Sequence, residues 1–344
     1  MKKKIYKIFP LLLAGLILAL TSNADSLINN GLAEEATPNT VVWTNGWSDN
    51  VAEPENYAYS FALIGDTQTL THNYPAKFHY IYDYLVENVE KTKLKHVFGL
   101  GDITDLNADY EWSLAQYQIG KLDGVVSYSL VRGNHDEHAK FEKYFGGNLS
   151  PYAKQYKEMY EENSTTTVHE FSAGQLDYLV ITLDFCPSDA MLAWASEVIE
   201  RHPNHNVIIS THSYLDDEGV LDEEIDGSIP ISKPGENNGT EVWEKLVSKH
   251  QNIVMVYCGH VCNSQEKVLL TQSTADNGNV VSQLMVNPQN TELLDPMGLV
   301  AMLYFSEDGS QVDVRYYSTI KKQWFMEENQ FSFTVATVAR ANEK

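Results

Sequence analysis

Basic residues are scarce in this chain. It has 24 Lys and Arg against 47 Asp and Glu, a formal net charge of −23. Four of the lysines fall within residues 2–7, so the remainder is more acidic still. Such a chain repels polyanions, which argues against a nucleic acid polymer as partner, because that binding rests on Lys and Arg neutralising phosphate. Long hydrophobic runs are also missing. The apolar stretch Ile8–Leu20 falls short of the roughly 20 residues that span a bilayer. Lysines precede it and Ser22-Asn23-Ala24 follows, so residues 1–24 read as a secretory signal peptide, with a permanent N-terminal anchor as the alternative. The expected location is secreted, extracellular or periplasmic, with no membrane attachment after cleavage. Cysteine is nearly absent. An oxidising compartment would allow one disulfide among Cys186, Cys258 and Cys262, and the odd count leaves at least one thiol over. Internal repeats and low-complexity tracts are absent.

What is present is enough apolar material for a large core, 43% of 344 residues, and a recurring pattern. Five short apolar runs each end in a residue able to bind a metal ion. Tyr59–Ile64 leads into Gly65-Asp66-Thr67-Gln68, and His96–Leu100 into Gly101-Asp102-Ile103-Thr104-Asp105. Val125–Val131 precedes Gly133-Asn134-His135-Asp136. Asn206–Ser210 precedes Thr211-His212, and Asn252–Tyr257 precedes Gly259-His260. Helical spacing falls between them, over Pro75–Lys91, Asp109–Leu122, Ser188–Arg201 and Thr240–Lys249, the last capped by Thr240. A sixth strand, Leu176–Leu183, ends at Asp184. This alternation predicts an α/β domain, and the carboxyl edge of such a sheet is where ligands bind. Singly, an Asp or Asn after Gly is a turn former. Five in order point to a metal-dependent site.

Residues 25–56 read as a linker and lead-in, and 57–336 as the folded domain. Lys267–Gln272 with Val280–Val286, and Leu299–Phe305 with Gln311–Tyr317, read as two β-hairpins. No helix is evident between them. Residues 264–336 are therefore expected to form part of a second, mostly antiparallel sheet. Residues 69–76, 137–165 and 214–240 are expected as loops over the strand ends. His72, His79, His96, His138, His169, His202, His205 and His250 read as surface or helix residues.

Asp-x-Gln, Gly-Asp-x-x-Asp, Gly-Asn-His-Asp, a lone His and Gly-His, in that order, resemble the calcineurin-like metallophosphoesterase family. The resemblance implies a four-layer α/β/β/α sandwich, two mixed β-sheets flanked by helices. It implies a hydrolase of phosphomonoesters or phosphodiesters, acting on a small phosphorylated substrate and read here as a monomer. Two divalent ions, Mn, Zn or Fe, would activate a hydroxide and clamp the phosphoryl oxygens. Asp66 and Gln68 are implied as ligands of the first ion, with Asp102 shared, and Asn134, His212 and His260 as ligands of the second. His135 is implied as the general acid, with Asp136 placed to hold its ring. Asp105 would orient a ligand or close the loop. Arg132 either meets a phosphate oxygen or is an ordinary exposed arginine. Asp184 lies outside the motif and is given no role.

The chain departs from the family pattern twice, and both changes fall on the first ion. The commoner Asp-x-His is Asp66-Thr67-Gln68, and the closing Gly-His-x-His is Gly259-His260-Val261-Cys262. A Gln carbonyl is a weaker ligand than imidazole. Cys262 is a thiolate ligand, a disulfide partner of Cys186, or a small free thiol. These changes motivate a second reading, a degenerate member serving as a metal-binding, non-catalytic extracellular module.

Overall fold

This computed structural model describes residues 51, 53–147, 150–223, 236–262 and 267–339. The expected signal peptide and nearly all of the lead-in lie outside the described residues. In chain order the strands are β1 (Tyr59–Ile64), β2 (Leu94–Gly99), β3 (Ser127–Leu130), β4 (Glu158–Tyr160), β5 (Asn163–Ala173), β6 (Leu176–Thr182) and β7 (Asn206–Ser210). They continue with β8 (Ile253–Cys258), β9 (Leu269–Thr274), β10 (Val280–Met285), β11 (Leu299–Phe305), β12 (Gln311–Ser318), β13 (Gln323–Trp324) and β14 (Phe331–Thr334). The helices are α1 (Gln68–Asn73), α2 (His79–Asn88), α3 (Asp109–Ile119), α4 (His138–Tyr144), α5 (Asp189–Arg201), α6 (Gly239–Lys245) and α7 (Gln289–Leu294).

Two seven-stranded sheets result. The first runs β13-β12-β11-β1-β2-β3, with β14 also on β12, and the second runs β4-β5-β6-β7-β8-β10-β9. Both are mixed. β1, β2 and β3 are mutually parallel, as are β6, β7, β8 and β10. The period-2 alternation of β1 shows how the layers stack. Tyr59, Phe61 and Leu63 point into a core shared with Tyr178, Val180 and Ile208 of the second sheet. Ala62 and Ile64 point the other way, against Leu70, Phe78 and Ile81. On the far side, Leu179 and Ile181 pack with Leu192, Ala195 and Val198 of α5. Three cores separate four layers, and the expected α/β/β/α sandwich is the architecture found. No described helix is long and apolar enough to cross a membrane.

The structure corrects several expectations. The two C-terminal hairpins do not share a sheet. β9–β10 extends the second sheet through parallel pairing with β8, whereas β11 pairs antiparallel with β1 and carries β12–β14 into the first. The switch is made by α7, where no helix was expected. Residues 69–76 are largely helical, and the 137–165 segment holds α4 and the start of β5. β5 carries the β-branched run Thr165–Val168, a strand signal. Part of 214–240 lies outside the described residues. α6 is capped by Asn238 in a capping box with Glu241, not by Thr240.

His96 and His169 are buried strand residues between the sheets, not surface or helix residues. The two nitrogens of His96 meet Ser127 Oγ at 2.9 Å and Ser129 Oγ at 3.0 Å, and its ring stacks on Phe171. His169 Nδ1 donates to the Gln155 carbonyl at 3.0 Å, and Nε2 meets Thr167 Oγ1 at 2.9 Å. Burial lowers both, His96 well below its ordinary value and His169 to about 3. Each ring is neutral when folded and protonates on unfolding. The stability this contributes is complete above the unfolded value of 6.5 and is lost as pH falls from there toward 3. Each histidine should give a slope of about 1.4 kcal/mol per pH unit in that window. Urea unfolding from about pH 7 to pH 4 should show a shallower loss in His169→Gln than in the parent chain. An unchanged slope would refute the assignment.

Candidate metal centre

Parallel strands from both sheets deliver their carboxyl ends to one edge. Asp66 follows β1, Asp102 follows β2 and Asn134 follows β3, while His212 and His260 follow β7 and β8. Asp102, His212 and His260 form the group of potential ligands found among the described residues, with ligand atoms within 4.8 Å of one another. Asn134 completes it. Its Oδ1 lies 3.0 Å from His212 Nε2 and 2.9 Å from His260 Nδ1. His212 Nε2 lies 3.3 Å from Asp102 Oδ1. Donors around one ion at about 2.1 Å sit about 3.0–3.4 Å apart, so these spacings fit a shared cation. His212 Nδ1 donates to the Leu100 carbonyl at 2.7 Å, which fixes the tautomer and turns Nε2 toward the site. Phe185 packs against both imidazoles.

Asp102 joins this group to the remaining predicted ligands. Its Oδ2 accepts from Gln68 Nε2 at 3.0 Å, and its Oδ1 from the His135 amide at 2.9 Å. Gln68 is buried, and its Oε1 has no hydrogen-bond partner. An orphaned buried carbonyl on a side chain bonded to the Asp102 carboxylate suits a cation. Both Asp66 oxygens lie 3.2 Å from the His260 amide. Asn287, which sequence reasoning missed, donates to Asp66 Oδ2 at 3.0 Å and to the His260 carbonyl at 2.8 Å. The signal existed: Asn287 follows β10, which is parallel to β8 and ends at the same edge.

The charges are those of a site built for a cation. Burial pushes the Asp66 carboxyl up to about 8. Burial acts the same way on Asp102, but the neighbouring His212 outweighs it and brings Asp102 below its ordinary value. Burial lowers His212, yet Asp102 and Asp66 raise it to about 9. Protons thus compensate carboxylates where a divalent ion would, and metal uptake should release them. Asp102 and His260 both have positive φ, 48° and 71°, the kind of backbone strain that clusters at functional sites.

Several expected roles change. Asp136 does not hold the His135 ring. Its buried carboxylate accepts from the amides of Ile103, Thr104 and Gly133 and from Thr104 Oγ1, which occupies it in closing the turn. Asp105 takes that place: its carbonyl lies 3.1 Å and its Oδ1 3.3 Å from His135 Nδ1. Arg132 is neither exposed nor open to phosphate. It is buried, pairs with Asp184 at 2.7 Å and donates to the Asp136 carbonyl, so Asp184 has a partner after all. Cys262 Sγ donates to Gln289 Oε1 at 3.3 Å, while Cys186 and Cys258 are buried free thiols, so the Cys186–Cys262 disulfide is not formed.

The calcineurin-like phosphoesterase family profile matches residues 59–264. The chain belongs to that family. It is 27% identical over 282 residues to the uncharacterized protein YvnB of Bacillus subtilis (strain 168), covering 78% of this chain. The chain spans only 20% of that relative's length. Among solved structures it is similar to a dimetal phosphatase from Danio rerio (14% identity, TM-score 0.49, 81% of this chain and 100% of that one). It is also similar to a purple acid phosphatase from yellow lupin (13% identity, TM-score 0.46, 83% and 56%).

Gly133 tests the site's packing. A Cβ there would lie 2.1 Å from Asp102 Oδ1. Gly133→Ala should therefore displace the Asp102 carboxylate and lower bound metal, read by elemental analysis, while far-UV circular dichroism stays near that of the parent. Full metal occupancy in the variant would contradict this packing.

Proposed function

We propose that this chain is an exported phosphoesterase that hydrolyses small phosphorylated molecules, with His135 as general acid. The observation that carries this reading is the fixed His135 ring beside Asp102. Nδ1 faces a carbonyl, which only accepts, so Nδ1 bears a hydrogen and Nε2 is left to hand a proton to the leaving group. Burial lowers the ring's proton affinity, but Asp102 and Asp105 outweigh this and raise it above the ordinary value, favouring the acid form. Asp66, Gln68 and Asp102 would hold one divalent ion, and Asp102, Asn134, His212 and His260 the other. Such ions supply Lewis acidity toward phosphoryl oxygens and a nucleophile at neutral pH. The acidic charge disfavours polymeric nucleic acid, and the signal-like residues 1–24 support a secreted location.

The second reading, a metal-binding module without catalysis, draws on one observation. Cys262 is turned to Gln289, so among the described residues the first position keeps Asp66, Gln68 and Asp102 of the expected side-chain donors.

With Mn²⁺ or Zn²⁺ and a generic aryl phosphate, turnover is expected. His135→Ala should lower kcat on the order of 100-fold or more. Asp102→Asn should abolish turnover and lower metal content at both positions. Undiminished turnover in His135→Ala would sink the general-acid role. Bound metal without hydrolysis of any phosphoester would favour the module.

A further inference from the structure

We propose that Asn107 is a positioning residue for the general acid, its side-chain amide bracketing His135 and setting where the imidazole meets the leaving group. This rests on the reading of His135 above. Asn107 lies between β2 and α3. Its Nδ2 donates to the His135 carbonyl at 2.6 Å, and its Oδ1 accepts from the Glu137 amide at 2.7 Å. One amide thus grips the chain on both sides of Asp136. It is held from behind by Trp112, fully buried, whose Nε1 donates to Oδ1 at 3.3 Å. Its φ of 56° is left-handed, a conformation asparagine accepts more readily than most side chains.

The requirement is narrow. The position needs a donor and an acceptor on one short side chain, together with tolerance of positive φ. Aspartate lacks the donor and glycine lacks both groups. The turn itself does not need Asn107, because the Asp136 carboxylate already closes it with four hydrogen bonds. What Asn107 adds is a third point of attachment for His135. The His135 amide is tied to Asp102 and Nδ1 to Asp105. Without Asn107 the residue can pivot about those two contacts. Proton transfer needs the heavy atoms within about 2.6–3.2 Å, so a small pivot should slow the step that depends on it.

Leaving-group dependence separates this role from a merely structural one. The metal-loaded full chain would be assayed with phenyl phosphate, whose leaving oxygen needs a proton, and 2,4-dinitrophenyl phosphate, whose leaving oxygen does not. His135→Ala should lose kcat selectively on phenyl phosphate. Asn107→Gly, which keeps the backbone conformation, should show the same selectivity at about tenfold, with unchanged metal content and little change in KM. Asn107→Asp keeps the acceptor for Glu137 and Trp112, guards against a folding defect in the glycine variant, and, lacking the donor to the His135 carbonyl, should show the same selective loss. Equal loss on both esters, or a wild-type ratio, in the Asn107 variants while His135→Ala remains selective would overturn the inference. Uniform loss in His135→Ala would instead remove the general acid itself, and this inference with it.

Discussion

A carboxylate withdrawn from water has to be compensated, and Asp102 is withdrawn almost completely, at 2% exposure. Everything around it serves that need. The first sheet supplies the Gln68 amide and the His135 backbone N–H, and the second sheet supplies His212. The two sheets therefore meet chemically at one group as well as through their shared apolar core. Asp66 adds a second buried carboxylate, so neutral donors alone cannot satisfy the cluster. Bound protons and a divalent cation are alternative solutions to the same electrostatic problem.

The layered packing makes this concentration of charge tolerable. Three apolar cores fix the strands from both faces, so the strand ends have little freedom to spread apart under repulsion. The turns beyond them are tied by side-chain braces around the site. Asp136 binds the loop after β3 to the loop after β2, Arg132 ties it to Asp184 beyond β6, and Asn287 fastens Asp66 to His260. Each brace links segments far apart in sequence.

That distance explains what could be read from the chain and what could not. Strand ends were legible because an apolar run followed by Gly and a polar residue is a local pattern. Thus Asp66, Asp102, Asn134, His212 and His260 could be named from the pattern, while the sandwich was implied by the family resemblance those motifs carry. Partners across the fold were not legible. Whether Asp136 or Asp105 faces the His135 ring depends on how two loops meet, and residue spacing within either loop does not encode it. Arg132 reads as a surface residue until Asp184, 52 positions away, is placed beside it. His96 and His169 look polar in sequence, but serines, threonines and a carbonyl satisfy them in the interior. The division of the C-terminal hairpins was hidden for the same reason. Alternation identifies a strand and is silent on which edge it joins.

The pairing of β11 with β1 has a consequence for how the molecule comes into being. β1 begins the first sheet at Tyr59, yet its neighbour on one side is Leu299–Phe305. During synthesis from the amino terminus, β1 waits with that edge unpaired until most of the chain has emerged. Such long-range closure is slow and leaves strand edges open to wrong partners. Asp66, at the end of β1, reaches its final environment only when Asn287 and β11 arrive. A chain interrupted before residue 287 would leave Asp66 without its Asn287 hydrogen bond and β1 without its β11 neighbour.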